Sequence, residues 1–322
     1  MKSITRNHTI DILKLLFAWC VVGIHMTVFA SHPAVCFTLT HGLFRIGVPF
    51  FFVVSGYFFA GKIHDKEASG RYLKSILKLY IVFEIIDIIL NTLNHQGIWS
   101  QPLMILRKVF TCGVNGVYWY LISLFLTCLL LRPLWAKKKT NILIFVGLVL
   151  YILAMMDDTY AGFFMNTKIQ ELVQMRTQFW KWPQAGLAMS VLFLSIGVKL
   201  RQNAVEVKHT GLLFLVSCVL LILEANFTQT HGALDANCYF SLIFAAPLLV
   251  LLALKHPFLI NCPKEVRDLS MYIYMVHIYI NYALVFLYPK YLRWVVSCLI
   301  STLIAALIMW VKGRRKKERA AV

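Results

Sequence analysis

Asp11-Ile-Leu-Lys14-Leu-Leu-Phe-Ala-Trp-Cys-Val-Val-Gly-Ile-His25 is an apolar run of nearly membrane length that carries three ionisable side chains. Charge is costly in hydrocarbon, so an ionisable group inside a span marks a functional position by default. At about 100° per residue, Lys14 and His25 fall within about 20° of each other on a helix, and Asp11 lies about 40° from His25. Asp11, Lys14, Ala18 and His25 therefore form one stripe, expected to face protein or water rather than lipid.

Composition supports a membrane protein. Of 322 residues 60% are hydrophobic and 14% charged, with a mean hydropathy of +0.72. Soluble domains average about 45–50% apolar and about 25% charged residues. The net charge of +18 does not point to nucleic acid, because the basic residues sit between apolar runs, as the positive-inside rule requires. There are eight cysteines and no C-x-x-C. Cys20, Cys128, Cys218 and Cys298 lie in apolar runs as small core residues. Cys36 and Cys112 fall in expected outer loops, where a disulfide is conceivable and free thiols are the favoured reading. No metal is expected.

About ten segments approach the roughly 20 residues a helix needs to cross a bilayer. They lie near 10–30, 43–61, 73–93, 116–135, 140–157, 181–199, 211–227, 237–254, 269–288 and 291–311. The connections 62–72, 132–139, 199–210 and 255–268 are rich in Lys and Arg, as are the N-terminus and the tail. The alternate connections 31–42 and 228–236 contain neither. This asymmetry puts both termini in the cytoplasm. The basic, apolar N-terminus imitates a signal peptide, but its apolar run is too long and carries the charged stripe, so it reads as an uncleaved helix. The expected architecture is all-α and polytopic: one helical domain over 1–311 and a basic cytoplasmic tail over 312–322. No repeat or separate soluble domain is visible.

His25 leads the candidates for chemistry. At ~1.5 Å per residue it lies about 21 Å from Asp11, past the midplane towards the outer face. An imidazole takes a proton from a hydroxyl near neutral pH, which is general-base work. The bland alternatives are a core histidine bonding a neighbouring helix and a Lys14 that snorkels to the interface. The second segment reads His41-Gly-Leu-Phe-Arg45-Ile-Gly-Val-Pro49-Phe-Phe-Phe-Val-Val-Ser55-Gly56-Tyr57. Arg45 enters from the outer side, placed to orient a substrate or stabilise an oxyanion, or else to anchor lipid headgroups. Pro49 frees a backbone carbonyl, and Ser55-Gly56 permits close helix contact.

The third segment starts Arg71-Tyr-Leu-Lys74-Ser-Ile-Leu-Lys78-Leu-Tyr80. Lys74 and Lys78 project from one side of a helix N-terminus, which suits a phosphorylated ligand from the cytoplasm or is ordinary positive-inside charge. Glu84 and Asp87 lie deeper and need partners, with Lys14 the candidate. Tyr118-Trp119-Tyr120 opens the fourth span and can be an interfacial belt. Leu269-Ser270-Met-Tyr272-Ile-Tyr274-Met-Val-His277 sets a second histidine near mid-membrane. His231 and Asp235 stand in an outer loop.

Taken in order, these pieces resemble the transmembrane acyltransferase family, type 3, which includes bacterial O-acetyltransferases of sugars and cell-wall polymers. The resemblance rests on Asp11-x-x-Lys14 with His25, on Arg45-x-x-x-Pro49-Phe-Phe-Phe-x-x-Ser55-Gly56-Tyr57, on the basic start of segment three with Tyr80, on Trp119-Tyr120-Leu121, and on Leu269-Ser270-x-x-Ile273-Tyr274-x-x-His277. It implies a ten-helix core that takes a cytoplasmic acyl-CoA, commonly acetyl-CoA, as co-substrate. The acyl group would pass to a hydroxyl on an extracytoplasmic carbohydrate or cell-wall acceptor, in a bacterial plasma membrane. The family's essential histidine maps onto His25. Its basic residue eleven positions earlier, usually Arg, is Lys14, which keeps charge but loses the bidentate fork. Its Arg-x-x-Arg signature is replaced by Arg71, Lys74 and Lys78. The competing readings are a transporter for a small solute or glycolipid and a non-catalytic scaffold of a polymer synthase. The chain also resembles the membrane portion of some membrane-bound serine racemases, with a tail too short for a soluble catalytic domain. Homo-oligomerisation stays open.

Overall fold

The computed structural model describes residues 6–93, 102–165, 167–168, 171, 184–257 and 263–320. Lys2 and the start of the expected span at 181–199 lie outside the described residues. The described residues are helical with no strand, as a bilayer demands when every backbone N–H and C=O must find a partner within its own segment. We number the helices α1 (His8–Met26), α2 (Gly47–Ala60), α3 (Lys66–Leu93), α4 (Pro102–Thr111), α5 (Trp119–Ala136), α6 (Thr140–Asp157), α7 (Gln184–Asn203), α8 (Thr210–Thr230), α9 (Leu242–Lys255), α10 (Lys264–Ala283) and α11 (Lys290–Ala320).

The count of about ten spans is not reached on length and apolarity. Among the described residues six helical stretches qualify: His8–Met26, Pro33–Ala60, Trp119–Ala136, Thr140–Asp157, Thr210–Thr230 and Lys290–Arg314. The other four expected spans are helices, α3, α7, α9 and α10, but they fall short physically. α9 has 14 residues. α3 carries Lys66, Glu67, Arg71, Lys74, Lys78, Glu84 and Asp87, and α7 and α10 are interrupted by charged and polar side chains. The expected outer loop 31–42 is also largely helical: Pro33–Val35 runs into a π-turn at Cys36–Thr40, then a 3-10 turn at Leu43–Ile46 that leads into α2. Pro33 at the first helical position begins it.

The chain divides into two compact units, Met1–Val48 with His209–Asn226 and Phe244–Val322, and Pro49–Lys208 with Phe227–Ile243. In the first, α1 packs on α10, on α11 and on the 36–46 segment. Asn7 caps α1 by accepting from the Ile10 N–H, satisfying one of the orphan donors of a helix start. Its amide also donates to the Ala253 carbonyl at 2.9 Å, while Arg6 donates to the Pro263 carbonyl at 2.6 Å. α1 and α10 run parallel, because the start of α1 meets the start of α10 and His25 meets His277. α11 returns antiparallel to α1: Lys290 donates to Thr27, Trp294 to the Trp19 carbonyl, and the Trp19 indole to Thr302.

In the second unit, α6 and α7 pair along their length and α2 crosses α7 closely. A Cβ on Gly56 would stand 2.2 Å from the Leu194 carbonyl oxygen, and one on Gly197 would stand 2.1 Å from that of Val53. This is the close helix contact expected from Ser55-Gly56, made without side chains to hold the backbones apart. Buried polar pairs stitch α5 to α7: Trp135 to Ser195 at 3.2 Å and Thr127 with Ser190 at 2.7 Å. All seven described cysteines are free, Cys36 and Cys112 included.

Two substitutions test the crossing. Gly56→Ala and Gly197→Ala are each expected to lower stability by about 1–3 kcal/mol through overpacking. Gly70→Ala, where a Cβ meets nothing within 4 Å, is expected to hold stability or raise it by about 0.5–1 kcal/mol. Thermal unfolding in detergent reads all three, and equal tolerance at all positions contradicts the crossing.

Candidate functional site

α1 ends directly after His25. Thr27 adopts a left-handed conformation with φ 46 and turns its N–H back to the carbonyls of Gly23 and Ile24. His25 thus sits in the last turn, exposed, while Val22, Gly23 and Met26 around it are buried. Its ring centroid lies 5.0 Å from that of His277 at an interplanar angle of 40°. His277 is fully buried. Its Nδ1 lies 2.7 Å from the Tyr274 carbonyl, so Nδ1 carries the proton and Nε2 presents a lone pair. That Nε2 is buried with no protein partner among the described residues. Arg45, in the 3-10 turn Leu43–Ile46, lies in electrostatic reach of both His25 and His41. The cluster is an accessible base, a buried imidazole with a free acceptor and a guanidinium, which is equipment for proton transfer beside a developing negative charge.

Asp11 and Lys14 belong to the other end of α1. Asp11 is buried and its Oδ2 lies 2.7 Å from the Arg6 Nε. Lys14 sits among Asp11, Arg267 and Asp268, and Arg267 is paired with Asp268 at 2.9 Å. Asp11 and Ala18 are buried as the stripe predicts, with Leu16 on the exposed side of α1.

The second unit holds the remaining sequence candidates. Arg71, Lys74 and Lys78 are exposed, and Arg71 pairs with Glu67 at 2.8 Å. The same stripe of α3 continues as exposed Ile81, Val82, Ile85 and Ile89, so the lysines stand next to an exposed apolar surface. Glu84 does not take Lys14 as its partner: its carboxylate accepts the Val114 N–H at 3.0 Å. A Cβ on Gly113, whose φ is +82, would meet the same carboxylate at 2.3 Å. Tyr80 donates to the Val109 carbonyl. The aromatics that open α5 make packing contacts. Tyr118 is fully buried, Trp119 lies against Phe52, and the Tyr120 hydroxyl is 3.2 Å from that of Ser55. In the loop 231–238, His231 stacks on Phe163 and Phe227. The Asp235 N–H is taken by Asp158, which also accepts from Asn237 and Cys238. No group of three or more metal-ligating side chains occurs among the described residues.

The acyltransferase domain of the Acyl_transf_3 family matches residues 7–311. The chain belongs to this acyltransferase family. It is 25% identical over 291 residues to a serine/alanine racemase of Enterococcus gallinarum, and 25% identical over 290 residues to an amino-acid racemase of Enterococcus faecalis. These matches cover 85% and 84% of this chain and 41% and 40% of the relatives, so the chain spans about two fifths of their length. No solved structure matches.

For a member of an acyltransferase family, the polar atoms missed from sequence are the informative ones. Among the described residues, neither amide atom of the nearly buried Asn281 has a partner, and neither do the fully buried Ser297 and Ser301 hydroxyls. Other helical serines here bond back to a carbonyl, as Ser69, Ser217 and Ser270 do. The signal was present: Asn281 follows His277 by four residues, which places it on the same helix face, as in the stripe that singled out His25.

Glu84 acts here as an internal cap of the 113–114 turn. Glu84→Ala is expected to reduce stability by about 1–3 kcal/mol, the cost of a buried N–H left without an acceptor. An unfolding temperature equal to that of the parent protein removes this role.

Proposed function

We propose that this membrane acyltransferase moves an acyl group, commonly acetyl, from acyl-CoA in the cytoplasm to a hydroxyl of an extracytoplasmic carbohydrate or cell-wall polymer. The observation that carries the reading is the accessible His25 ring beside the buried His277, with Arg45 in reach, within a chain matched by the family over 7–311.

His25 acts as general base. It takes the proton of the acceptor hydroxyl as that oxygen forms a bond to the thioester carbonyl carbon. Arg45 faces the oxyanion of the tetrahedral intermediate. The intermediate collapses by breaking the C–S bond, and the proton held on His25 passes to the departing thiolate. The products are the acyl ester and free CoA thiol. Arg71, Lys74 and Lys78 receive the CoA phosphates, and their exposure leaves them open to a ligand from water. Both termini lie in the cytoplasm in this reading, with the basic tail beside the donor side.

A second reading, solute transport, draws support from the relatives, one named as a serine/alanine racemase and the other as an amino-acid racemase. It predicts movement of labelled serine into proteoliposomes without acyl-CoA.

Two experiments decide between them. In nanodiscs, His25→Ala is expected to cut transfer from labelled acetyl-CoA by about 10²- to 10⁴-fold with acetyl-CoA binding retained. Lys74→Ala with Lys78→Ala is expected to weaken that binding about tenfold, and more so at low salt, since each exposed cation contributes under about 1 kcal/mol. Absence of any acyl-CoA binding to folded protein, together with serine uptake, would overturn the enzyme reading.

A further inference from the structure

The acyl-transfer reading leaves unused a set of buried, unpartnered polar atoms beyond His25. His277 Nε2 and both amide atoms of Asn281 are buried without protein partners among the described residues. His277 is fully buried and Asn281 is 8% exposed. The two lie one helical turn apart on α10, four residues separating them, so they share a face. That face is turned to α1, because His277 meets the His25 ring. α1 and α10 run parallel, and α1 stops at Met26. Asn281 therefore lies about 6 Å beyond His277 along α10, past the level at which α1 stops.

Buried polar groups in proteins are almost always satisfied. A nearly buried carboxamide with neither end bonded costs stability for each unpaired atom, and such a cost persists where a ligand or ordered water completes the site. The carboxamide offers one acceptor and two donors in one plane, and His277 offers an acceptor beside it. The complementary group both donates and accepts, which describes a hydroxyl or an amide.

We propose that Asn281 and His277 form an acceptor subsite that holds a second polar group, a hydroxyl or amide neighbouring the hydroxyl that His25 deprotonates. The acceptor is then a molecule that bears a second hydroxyl or an amide beside the reacting hydroxyl, rather than an isolated alcohol. His277 is a binding residue in this subsite, with Nδ1 locked on Tyr274 so that only its acceptor side faces the ligand. The inference rests on the acyl-transfer reading.

The test uses Asn281→Leu, a near-isosteric apolar replacement, and Asn281→Ser, which keeps a donor and acceptor. Full-length protein in nanodiscs is incubated with ¹⁴C-acetyl-CoA and envelope fragments of the source cells, and label in the envelope fraction is counted. Thermal unfolding is measured on the same preparations. Asn281→Leu is expected to lose about ten- to a hundredfold of envelope labelling, because the ligand's polar group is then left unpaired, with an unfolding temperature equal to or above the parent. Asn281→Ser is expected to retain more labelling than Asn281→Leu. A fall in unfolding temperature in Asn281→Leu means the amide is bonded within the fold, and overturns the proposal. Undiminished labelling in Asn281→Leu overturns it as well. No labelling by the unsubstituted protein overturns the acyl-transfer reading and this subsite with it, an outcome distinct from labelling that ignores Asn281.

Discussion

The parallel seating of α1 on α10 is the contact on which the site depends. It is fixed at one end by Arg6, which bridges Asp11 and the Pro263 carbonyl, while Asn7 caps α1 and ties it to Ala253 of α9. Those contacts set the register of two long helices. With the register set, His25 arrives at the level of His277 and nowhere else. A shift of one residue on either helix would rotate its histidine by about 100° and separate the rings. Asp11 thus matters through the register even though it lies far along α1 from His25. α11 closes the third side: Trp294 lies against Gly23 and donates to Trp19, and any side chain at Gly23 would press on Phe44 and the Trp294 indole at 3.1 Å.

Buried charge is handled differently in the two units. In the first, the carboxylate of Asp11 pairs with a cation, the ordinary way to hold a charge away from water. In the second, Glu84 and Asp158 receive backbone N–H groups of loops instead. Asp158 takes the N–H groups of Asp235, Asn237 and Cys238 and so fixes the loop that follows α8, while Glu84 takes that of Val114 in the turn that precedes α5. Carboxylates that would read as catalytic in a list of intramembrane charges are here internal caps. On α10, His277 Nε2 and the Asn281 carboxamide are buried without a protein partner among the described residues.

The general character of the fold was legible in the residues. Apolar runs separated by basic and by uncharged connections required an all-helical membrane protein, and the charged stripe of α1 correctly placed Asp11 and Ala18 towards protein. Gly56 was readable as a close-contact position because a missing side chain leaves only a few structural uses in a helix. The span count was less legible, since α3, α9 and α10 are too charged or too short to be separated from surface helices by composition. Where periodicity is weak, as over 31–46, the chain adopts a π-turn and a 3-10 turn that no simple hydrophobic period describes.

The sequence by itself determined the class of molecule and the family resemblance and singled out His25 as a candidate, because hydropathy, charge placement and helical phase are local properties of the chain. Only the tertiary structure decided which polar groups satisfy one another. It gave Glu84 to a loop rather than to Lys14, buried Tyr118, set Trp119 against Phe52, and brought His277 of α10 to His25 of α1 across 252 residues of sequence. Pairing of this kind is set by helix register and crossing geometry, which depend on contacts between distant segments and leave no mark in the phase of either helix alone.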